Sequence, residues 1–325
     1  MIGHLLLAVT EHESASSMMA LAREFAAANG ARLSVLLVAE PIPDLDRIAE
    51  ATGTDASVLA ARAEAAQLAA FETTIDTMTA AAPPEITVRT GTAFVEIIRH
   101  VVEHDVDMLI KAPDARGAQL GHVLTSTDQH LLRKCPGVVW LSDAAPRGMP
   151  RTIVLCVDVD DGTATEPDTV AALNDRLVVC ARALAAAQDA ELHLVHVWDA
   201  PGAALVRRWA APADADASAR DYTAQVEARR REAFARIEAR LRGDGADSAQ
   251  SGLRVRAHFL QGSPRQRLPE LTRSLGAEVL IMGTTARTGV PGLVIGNTAE
   301  DVLNSVDCGL LSVKPPSFVS PITAD

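Results

Sequence analysis

Two patterns of hydrophobic and polar positions alternate along this chain. Short runs rich in Val, Ile and Leu are followed by longer stretches in which apolar residues recur every three to four positions. The first pattern is typical of buried strands and the second of helices that bury one face. Their regular alternation predicts a parallel sheet whose strands are connected by helices. In the first half the predicted strands are residues 4–10, 31–40, 85–90, 106–111 and 137–141. The predicted helices are residues 14–29, 55–82, 93–104 and 126–134.

The second half repeats this order of elements. Its predicted strands are residues 152–159, 191–198, 253–260, 278–282 and 309–314. Its predicted helices are residues 168–187, 219–242, 264–275 and 298–306. The repeat is also visible in the letters, because "MLIKA" from Met108 resembles "VLIMG" from Val279, and Gly91 precedes Gly262 by the same 171 positions. The chain is therefore predicted to contain a duplicated βα domain.

The stretch "SDAAPRGMP" separates the two copies, and its Pro and Gly content suits a linker. We expect a first domain over residues 1–142, a linker over 143–150 and a second domain over 151–325. A length of 325 residues fits two domains of ordinary size. The predicted fold class is α/β, with two tandem doubly wound domains that each contain a five-stranded parallel sheet.

The composition and charge exclude several classes of partner. With 48% hydrophobic and 22% charged residues, the chain has the composition of a globular protein. A net charge of −12 argues against nucleic acid or an anionic membrane surface as a partner. The first apolar run is too short to span a membrane. Widely separated cysteines at 135, 156, 180 and 308 predict reduced thiols in the cytoplasm and no metal site.

One glycine-rich segment, "MGTTARTGVPGLVIGNTAEDVL" (residues 282–303), connects a predicted strand to a predicted helix. Ligands of parallel sheets bind beyond the carboxyl ends of the strands, and a helix amino terminus favours an anion there. Glycines also allow a backbone to approach phosphate oxygens closely. Alternatively, the glycines only shape a turn, and Thr298 and Asp301 of "TAED" form a capping box that needs no ligand. The residues alone leave both interpretations open.

Other motifs carry less weight. The chain lacks both the GxxxxGK[ST] and the GxGxxG patterns at a first strand, which argues against the commonest NTPase and dinucleotide sites. "HVVEH" (His100–His104) matches a zinc-peptidase pattern, but no distal acidic ligand accompanies it, and we interpret it as a solvated helix end. The Ala/Pro-rich residues 199–218 carry Trp209 and could cover an apolar cleft or form a lid, but we interpret them as a mobile loop.

The spacing in the glycine-rich segment resembles the nucleotide loop of universal stress proteins. In that family a fourth strand is followed by Gly, two residues, Gly, nine residues, Gly and Ser or Thr. Gly283 matches the first glycine and Gly296 the last, whereas Ala286 stands at the middle glycine. Asn297 occupies the Ser/Thr position, and Thr298 follows it. The stretches "IGNTAEDVLN", "VKPPSFVSP" and "HLLRKCP" resemble the tandem, E-type branch.

This resemblance implies the adenine nucleotide alpha hydrolase-like fold and a site for ATP or another adenine nucleotide in the second domain. "VDVDD" (residues 157–161) is similar to the family's motif at the end of strand one, which implies that Asp158 contacts adenosine. Gly283 and Gly296 would offer backbone amides to phosphate, and Asn297 and Thr298 polar side chains. The methyl group of Ala286 weakens such a site, because the backbone must approach the phosphate there.

The first domain departs further from the family pattern. Ala112, Ala115 and Thr125 occupy its three glycine positions, and Thr10 stands where Asp158 stands in the second domain. We therefore expect no nucleotide in the first domain.

These observations lead to a main hypothesis and two alternatives. We expect a cytoplasmic stress-response protein that is not an enzyme, has no catalytic residues and holds at most one nucleotide. The alternatives are an ATP-independent scaffold for an apolar ligand or a protein partner, and a slow ATP hydrolase. In the family the last strands pair across a dimer, so a tandem chain can make that pairing internally, with a homodimer as a further assembly. The internal pairing would set residues 138, 139 and 141 against residues 310, 311 and 313.

Overall fold

The structure is a computed structural model that describes residues 2–11, 15–75, 84–114, 126–143, 145–159, 166–186, 189–243, 253–284 and 296–324. These residues contain the strands β1 (His4–Val9), β2 (Arg32–Ala39), β3 (Glu85–Thr90), β4 (Met108–Lys111), β5 (Val138–Leu141), β6 (Thr152–Cys156), β7 (Glu191–Trp198), β8 (Arg254–Gln261), β9 (Val279–Gly283) and β10 (Gly309–Val313). They also contain the helices α1 (Ala15–Asn29), α2 (Leu45–Thr52), α3 (Ala56–Ile75), α4 (Ala93–Glu103), α5 (Ser126–Lys134), α6 (Pro167–Ala185), α7 (Ala203–Trp209), α8 (Ala215–Arg242), α9 (Pro264–Leu275) and α10 (Asn297–Leu303).

Each half forms the doubly wound sheet that the sequence predicts. The strand order is β3-β2-β1-β4-β5 in the first half and β8-β7-β6-β9-β10 in the second, and neighbouring strands within a half are parallel. After β1 the chain moves outward to β2 and β3, and it then returns to the other side of β1 to form β4. The order of strands reverses at that point, between β1 and β4 and, in the second half, between β6 and β9. The predicted α/β class with two five-stranded units is thus confirmed.

The internal repeat extends into the hydrogen bonds of the last strands. The amide of Val138 donates to the carbonyl oxygen of Asp107 at 2.9 Å, and the amide of Gly309 donates to that of Glu278 at 3.0 Å. The two donors are 171 positions apart in the sequence, and so are the two acceptors. The carboxylates of the same two acidic residues also accept hydrogen bonds. The amide of His4 donates to Asp107 and the amide of Thr152 donates to Glu278, both at 3.0 Å. Each half therefore fixes the amino end of its central strand with a carboxylate that precedes β4 or β9.

The two halves join into one continuous sheet of ten strands. Strands β5 and β10 pair antiparallel, and their register sets Leu141, Trp140 and Val139 against Leu310, Leu311 and Ser312. Because Trp140 and Leu311 are themselves 171 positions apart, the pseudo-twofold axis passes through this central pair. Antiparallel pairing also places the carboxyl ends of the two halves at opposite edges of the sheet. The outermost strands of the sheet are β3 and β8.

Two hydrophobic layers cover the faces of the sheet, and each layer contains side chains from both halves. Leu7 and Leu155 belong to one layer, and Leu6 and Val154 belong to the other. Successive residues of a strand point to opposite faces, which explains why neighbouring leucines and valines enter different layers. Neither half therefore has a hydrophobic core that is separate from the core of the other half.

A buried lysine beyond β10 also connects the halves. Lys314 is 2% exposed, and its Nζ donates to the carbonyl oxygen of Leu132, in the last turn of α5, at 2.7 Å. The ring of Phe318 covers the ammonium group at 5.0 Å. A cation at a helix carboxyl terminus is favourable because the last carbonyl groups carry partial negative charge. Burial nevertheless lowers the pKa of Lys314 to about 8.

Residues 199–218, which we interpreted as a mobile loop, are largely helical, so the assignment to a loop is wrong. This segment contains α7, and α8 begins within it at Ala215. Helix α7 has only seven residues and buries none of them, which is too short a run for apolar periodicity to identify a helix. Helix α2, which follows β2 in the first half, was missed for the same reason, because it has only eight residues.

The buried Lys314 predicts a dependence of stability on pH. Because its pKa is about 8 in the folded protein and 10.5 in the unfolded chain, the unfolded chain binds more protons between these values. Its contribution to stability therefore rises from pH 8 to pH 10.5 and is lost as the pH falls through 8. We expect the difference in free energy of unfolding between wild type and Lys314→Met to move in favour of the wild type by up to about 3 kcal/mol across this range.

Urea denaturation at both ends of the range measures this difference. The comparison with the wild type cancels the titration of every thiol except Cys135, whose pKa Lys314 lowers. Lys134→Met, which removes a lysine that is only half-buried, is the matched control and should show no comparable change with pH. A pH-independent difference for Lys314→Met would contradict the prediction.

Candidate functional site

The candidate site of the second half lies where the strand order reverses, between β6 and β9. Leu155 of β6 pairs with Ile281 of β9, so the two strands end at the same edge of the sheet. Asp158 follows the end of β6 and Gly283 is the last residue of β9. In open α/β sheets this crevice beyond the carboxyl ends is where ligands bind. The structure thus brings two sequence-predicted site residues to one edge.

Two side chains hold the backbone that carries Asp158. The side-chain amide of Asn174, on α6, donates to the carbonyl oxygen of Asp158 at 2.6 Å. The ring Nδ1 of His196, on β7, donates to the carbonyl oxygen of Val157 at 3.0 Å. Asp158 itself is half-buried. The end of β6 is therefore fixed from two neighbouring elements, which sets the position from which the Asp158 side chain extends.

The absence of a side chain at Gly283 has a packing reason. A Cβ atom at this position would lie 2.7 Å from Cδ2 of Leu173, which belongs to α6. Carbon atoms do not approach so closely, so any other residue at 283 would force the Leu173 side chain to move, and a glycine lets α6 pack against β9 as it does. Close approach of a phosphate is not needed to explain this glycine.

The residues on either side of the glycine-rich loop are bonded to each other. The buried hydroxyl of Thr284 lies 2.7 Å from the hydroxyl of Ser312, and the amide of Thr284 donates to Val313 at 3.3 Å. The amide of Gly296 donates to the carbonyl oxygen of Thr284 at 3.4 Å. One of the two amides predicted to face phosphate is therefore already used, through a long hydrogen bond. Ala286 lies outside the described residues.

Helix α10 begins at Asn297, with Gly296 as its N-cap and no side chain capping it. Thr298 is the second residue of the helix, so the predicted capping box that starts at Thr298 is wrong. Asn297 and Thr298 are both exposed. The first amides of a helix have no partner within the helix, and a ligand or water must satisfy them.

Arginines from other elements bind the two acidic residues of α10. Asp301 forms an ion pair with Arg265 of α9 at 2.6 Å. Glu300 forms an ion pair with Arg133, at the end of α5 in the first half. The negative charge that these carboxylates would place beside a bound anion is therefore offset.

The corresponding edge of the first half contains a closed network of charges. Lys111, the last residue of β4, is 1% exposed, and its Nζ contacts the carboxylates of Asp114 and Asp128 at 2.5 and 3.2 Å. It also donates to the carbonyl oxygen of Ala112 at 2.8 Å. The hydroxyl of Thr10 donates to Asp114 at 3.1 Å. Asp128 is 0% exposed and lies in the first turn of α5, where a phosphate would have to bind.

A shallow crevice beside this network is largely apolar. Its lining consists of Ala8, Val9, Thr10, Glu11, Ala15, Met18, Ala112 and Pro113. No ammonium or guanidinium group belongs to this lining, so among the described residues the crevice offers an anion no cation. Ala115 and Thr125, the other two replaced glycines of this half, lie outside the described residues.

Sequence reasoning missed Lys111 and Lys314. Only three of the 30 basic residues are lysines, at positions 111, 134 and 314. Two of the three are buried at strand ends. The sequence did contain a signal for these two residues. Each is a lysine at the end of an apolar run, in a chain whose other basic residues are almost all arginines.

The interpretation of "HVVEH" as a solvated helix end is wrong for its first residue. His100 is buried, and its ring lies 4.2 Å from the ring of the exposed His104. Burial, and then the nearby His104 and Arg89, lower the pKa of His100 to about 4. The described part of the chain contains no group of three or more His, Cys, Asp or Glu side chains placed to hold a metal ion. It also contains no helix with the length and apolar composition needed to cross a membrane.

Comparison with known families gives matches over both halves. A family model described as the universal stress protein family matches residues 1–142 and again residues 149–314. Universal stress protein E of Escherichia coli (strain K12) is 27% identical over 240 residues, which covers 71% of this chain and 68% of that protein. The universal stress protein E homolog of Haemophilus influenzae is 41% identical over 58 residues, 18% of this chain and 19% of that protein.

Solved structures with the same fold cover almost the whole chain. A universal stress protein from Pseudomonas aeruginosa UCBPP-PA14 has a TM-score of 0.66 at 20% identity and covers 97% of this chain and 94% of its own. A functionally unknown protein from Pseudomonas aeruginosa PAO1 has a TM-score of 0.63 at 22% identity and covers 97% of this chain and 93% of its own. Similarity at this level of identity supports the fold.

The closed network of the first half predicts that replacing Lys111 lowers the stability of the fold strongly. Lys111→Met leaves two carboxylates without their cation, one of them fully buried, and should lower the free energy of unfolding by about 3–5 kcal/mol. The triple variant Lys111→Met, Asp114→Asn, Asp128→Asn removes all three charges and should recover most of this loss. Urea denaturation measures both. A loss below about 1 kcal/mol in the single variant would mean that the network contributes little.

Proposed function

The chain belongs to the universal stress protein family and contains two copies of the family's domain, and on this premise we propose that it is a cytoplasmic stress-response protein that binds one adenine nucleotide. The proposed site is the edge between β6 and β9 in the second half. The first half supplies structure to the sheet and binds no nucleotide.

The difference between the two strand-reversal edges is the observation that carries this proposal. In the first half an internal cation, Lys111, is enclosed by two carboxylates, and one of them lies in the first turn of α5. In the second half the corresponding helix, α10, has no side-chain cap, and arginines engage both of its acidic residues. An anion is repelled at the first edge and tolerated at the second.

Each site residue has a distinct proposed role. Asp158 contacts the adenosine part, since it stands at the end of the central strand. Asn297 and Thr298 bind phosphate through the first amides of α10 and through their exposed side chains. Gly283 contributes by allowing α6 to pack against β9, and Gly296 supports the turn through its bond to Thr284. We expect Ala286 to weaken binding, because it carries a methyl group at a position where the family pattern has a glycine.

We propose that the protein binds the nucleotide without turning it over. The described site residues include no histidine or cysteine positioned as a general base or nucleophile, and the carboxylates of Glu300 and Asp301 are held by arginines. The four cysteines are free, and burial raises their pKa values to about 11 or 12. Thiols that stay protonated and unpaired suit the reducing cytoplasm.

The second candidate is a scaffold that excludes ATP and binds an apolar ligand or a protein. Two observations favour it: Leu173 accounts for Gly283 without a phosphate, and the amide of Gly296 is already bonded. The two candidates differ in one measurable property, which is whether the purified protein binds ATP at all.

The variant Asn297→Asp tests the site. A carboxylate at the first position of α10 is favourable for the helix, so the free energy of unfolding should stay equal or rise by up to about 1 kcal/mol. The same carboxylate repels phosphate, so calorimetric titration should show ATP affinity at least about tenfold below that of the wild type. Gly283→Val is a poorer test, because it clashes with Leu173 whether or not a nucleotide binds.

Ser126→Asp provides the matched control. Ser126 is exposed, begins α5 and stands 171 positions before Asn297, so it introduces the same charge at the equivalent place in the first half. ATP affinity should not change in this variant. Equal losses in both variants would argue against a site in the second half. Absence of heat with ATP, together with no adenine nucleotide released on denaturation, would favour the scaffold.

A further inference from the structure

The helical hairpin formed by α7 and the start of α8 extends past the sheet. Helix α8 has 28 residues and is about 42 Å long, whereas the eight residues of β8 span about 26 Å. Its buried side chains that belong to the sheet-covering layer, Ala233, Phe234, Ile237 and Leu241, all lie in its second half. Because α8 connects the carboxyl end of β7 to the amino end of β8, its first half projects beyond the carboxyl edge. Helix α7 packs on this projecting part.

Helix α7 exposes two large apolar side chains. Trp209 is 76% exposed and Leu205 is 47% exposed, and they are four residues apart, on one side of the helix. The other two tryptophans, Trp140 and Trp198, are buried in the fold. Together, Trp209 and Leu205 form a small exposed apolar patch, and such patches are common at binding surfaces.

The hairpin begins next to the candidate site. Cys156 of β6 pairs with Val195 of β7, so Trp198, the last residue of β7, is level with Val159, one position after Asp158. Adjacent strands are about 4.8 Å apart. Four residues, 199–202, connect β7 to α7, and such a segment reaches at most about 14 Å. Helix α7 is therefore within reach of the adenosine side of the site.

The charge of α7 matches an anionic ligand. It carries Arg207 and Arg208 and no acidic residue. The helix at the same place in the first half, α2, has the sequence LDRIAEAT, with two acidic residues, one arginine and no aromatic residue. The basic, aromatic helix thus occurs in the half whose edge is open to an anion, and the acidic helix occurs in the half whose edge is closed.

Helix α7 packs on α8 without burying any of its own residues. Gly202 packs so closely against the hydroxyl of Tyr222 that a Cβ atom there would lie 2.5 Å from it, which anchors the start of the hairpin. At the other end, Arg207 pairs with Asp216 at 2.8 Å, but both side chains are largely exposed. Exposed ion pairs contribute little to stability. None of the residues of α7 is buried, so closing it over the site uncovers no core.

We propose that α7 is a lid over the site of the second half, in which Trp209 stacks on the adenine ring and Arg208 binds the phosphates. This inference rests on the proposed function, and it adds the two residues that select for a ligand with both an aromatic base and phosphates. Stacking on a base and an arginine–phosphate contact are the interactions that these two side chains make most favourably.

Calorimetric titration of the full-length protein with ATP and with adenosine separates the two roles. Trp209→Ala should weaken the binding of both ligands by about tenfold, because both contain the base. Arg208→Ala should weaken the binding of ATP to a similar degree and leave adenosine binding unchanged. Ile48→Ala, which removes an exposed apolar side chain from α2, is the matched control and should change neither affinity.

Quenching of tryptophan fluorescence by acrylamide gives a second readout. In the free protein Trp209 is open to the quencher, and Trp140 and Trp198 are not. Saturating ATP should reduce quenching in the wild type, and Trp209→Phe should abolish that response while it retains most of the affinity for ATP.

The outcomes distinguish the lid from the proposed function. If ATP binds with measurable heat, but neither Trp209→Ala nor Arg208→Ala changes affinity and quenching is unaltered, the lid is overturned and the nucleotide site stands. If ATP gives no heat with the wild type, the proposed function fails and the lid is rejected with it. Reduced quenching together with the two different affinity patterns would support the lid.

Discussion

The antiparallel pairing of β5 with β10 is the interaction on which the rest of the structure depends. It merges two five-stranded sheets into one, so the hydrophobic layers on both faces continue from one half to the other. It also brings the end of α5 to the carboxyl edge of the second half. Arg133 can therefore reach Glu300 of α10, and Lys314 can reach the carbonyl oxygen of Leu132. The first half thus supplies part of the electrostatic environment of the second half's candidate site.

The same pairing places the two strand-reversal edges on opposite sides of the sheet, and their chemistry has diverged. At the first edge a lysine, two carboxylates and a threonine satisfy one another, which stabilises the fold and sets negative charge in the first turn of α5. At the second edge the helix amino terminus is uncapped, and nearby carboxylates are neutralised by arginines. Two copies of one fold therefore combine a structural half with a half that we propose as the binding half. The charge of the neighbouring helices differs in the same direction, because α2 beside the first edge is acidic and α7 beside the second edge is basic.

Most of the architecture could be predicted from the sequence, and the exceptions share a physical cause. Long helices and strands were recognised because they bury a periodic set of apolar residues, whereas α2 and α7 have only eight and seven residues and bury none of them. At the site, the spacing from Gly283 to Gly296 indicated a loop between β9 and α10. It could not reveal that Leu173 packs against Gly283, that Thr284 binds Gly296, or that α10 starts one residue before the predicted capping box. These features depend on atoms that are distant in the sequence.

By itself, the sequence determined the duplicated order of elements, the fold class and the segments at which a ligand site could form, because periodicity and spacing are local properties of the chain. The tertiary structure decided which charges meet and which remain open. Lys111 and Lys314 look alike in the sequence, yet one is enclosed by carboxylates within its own half and the other caps a helix of the opposite half. Ion pairing and burial depend on distances of a few ångströms between residues far apart in the chain, and only the packed fold sets those distances.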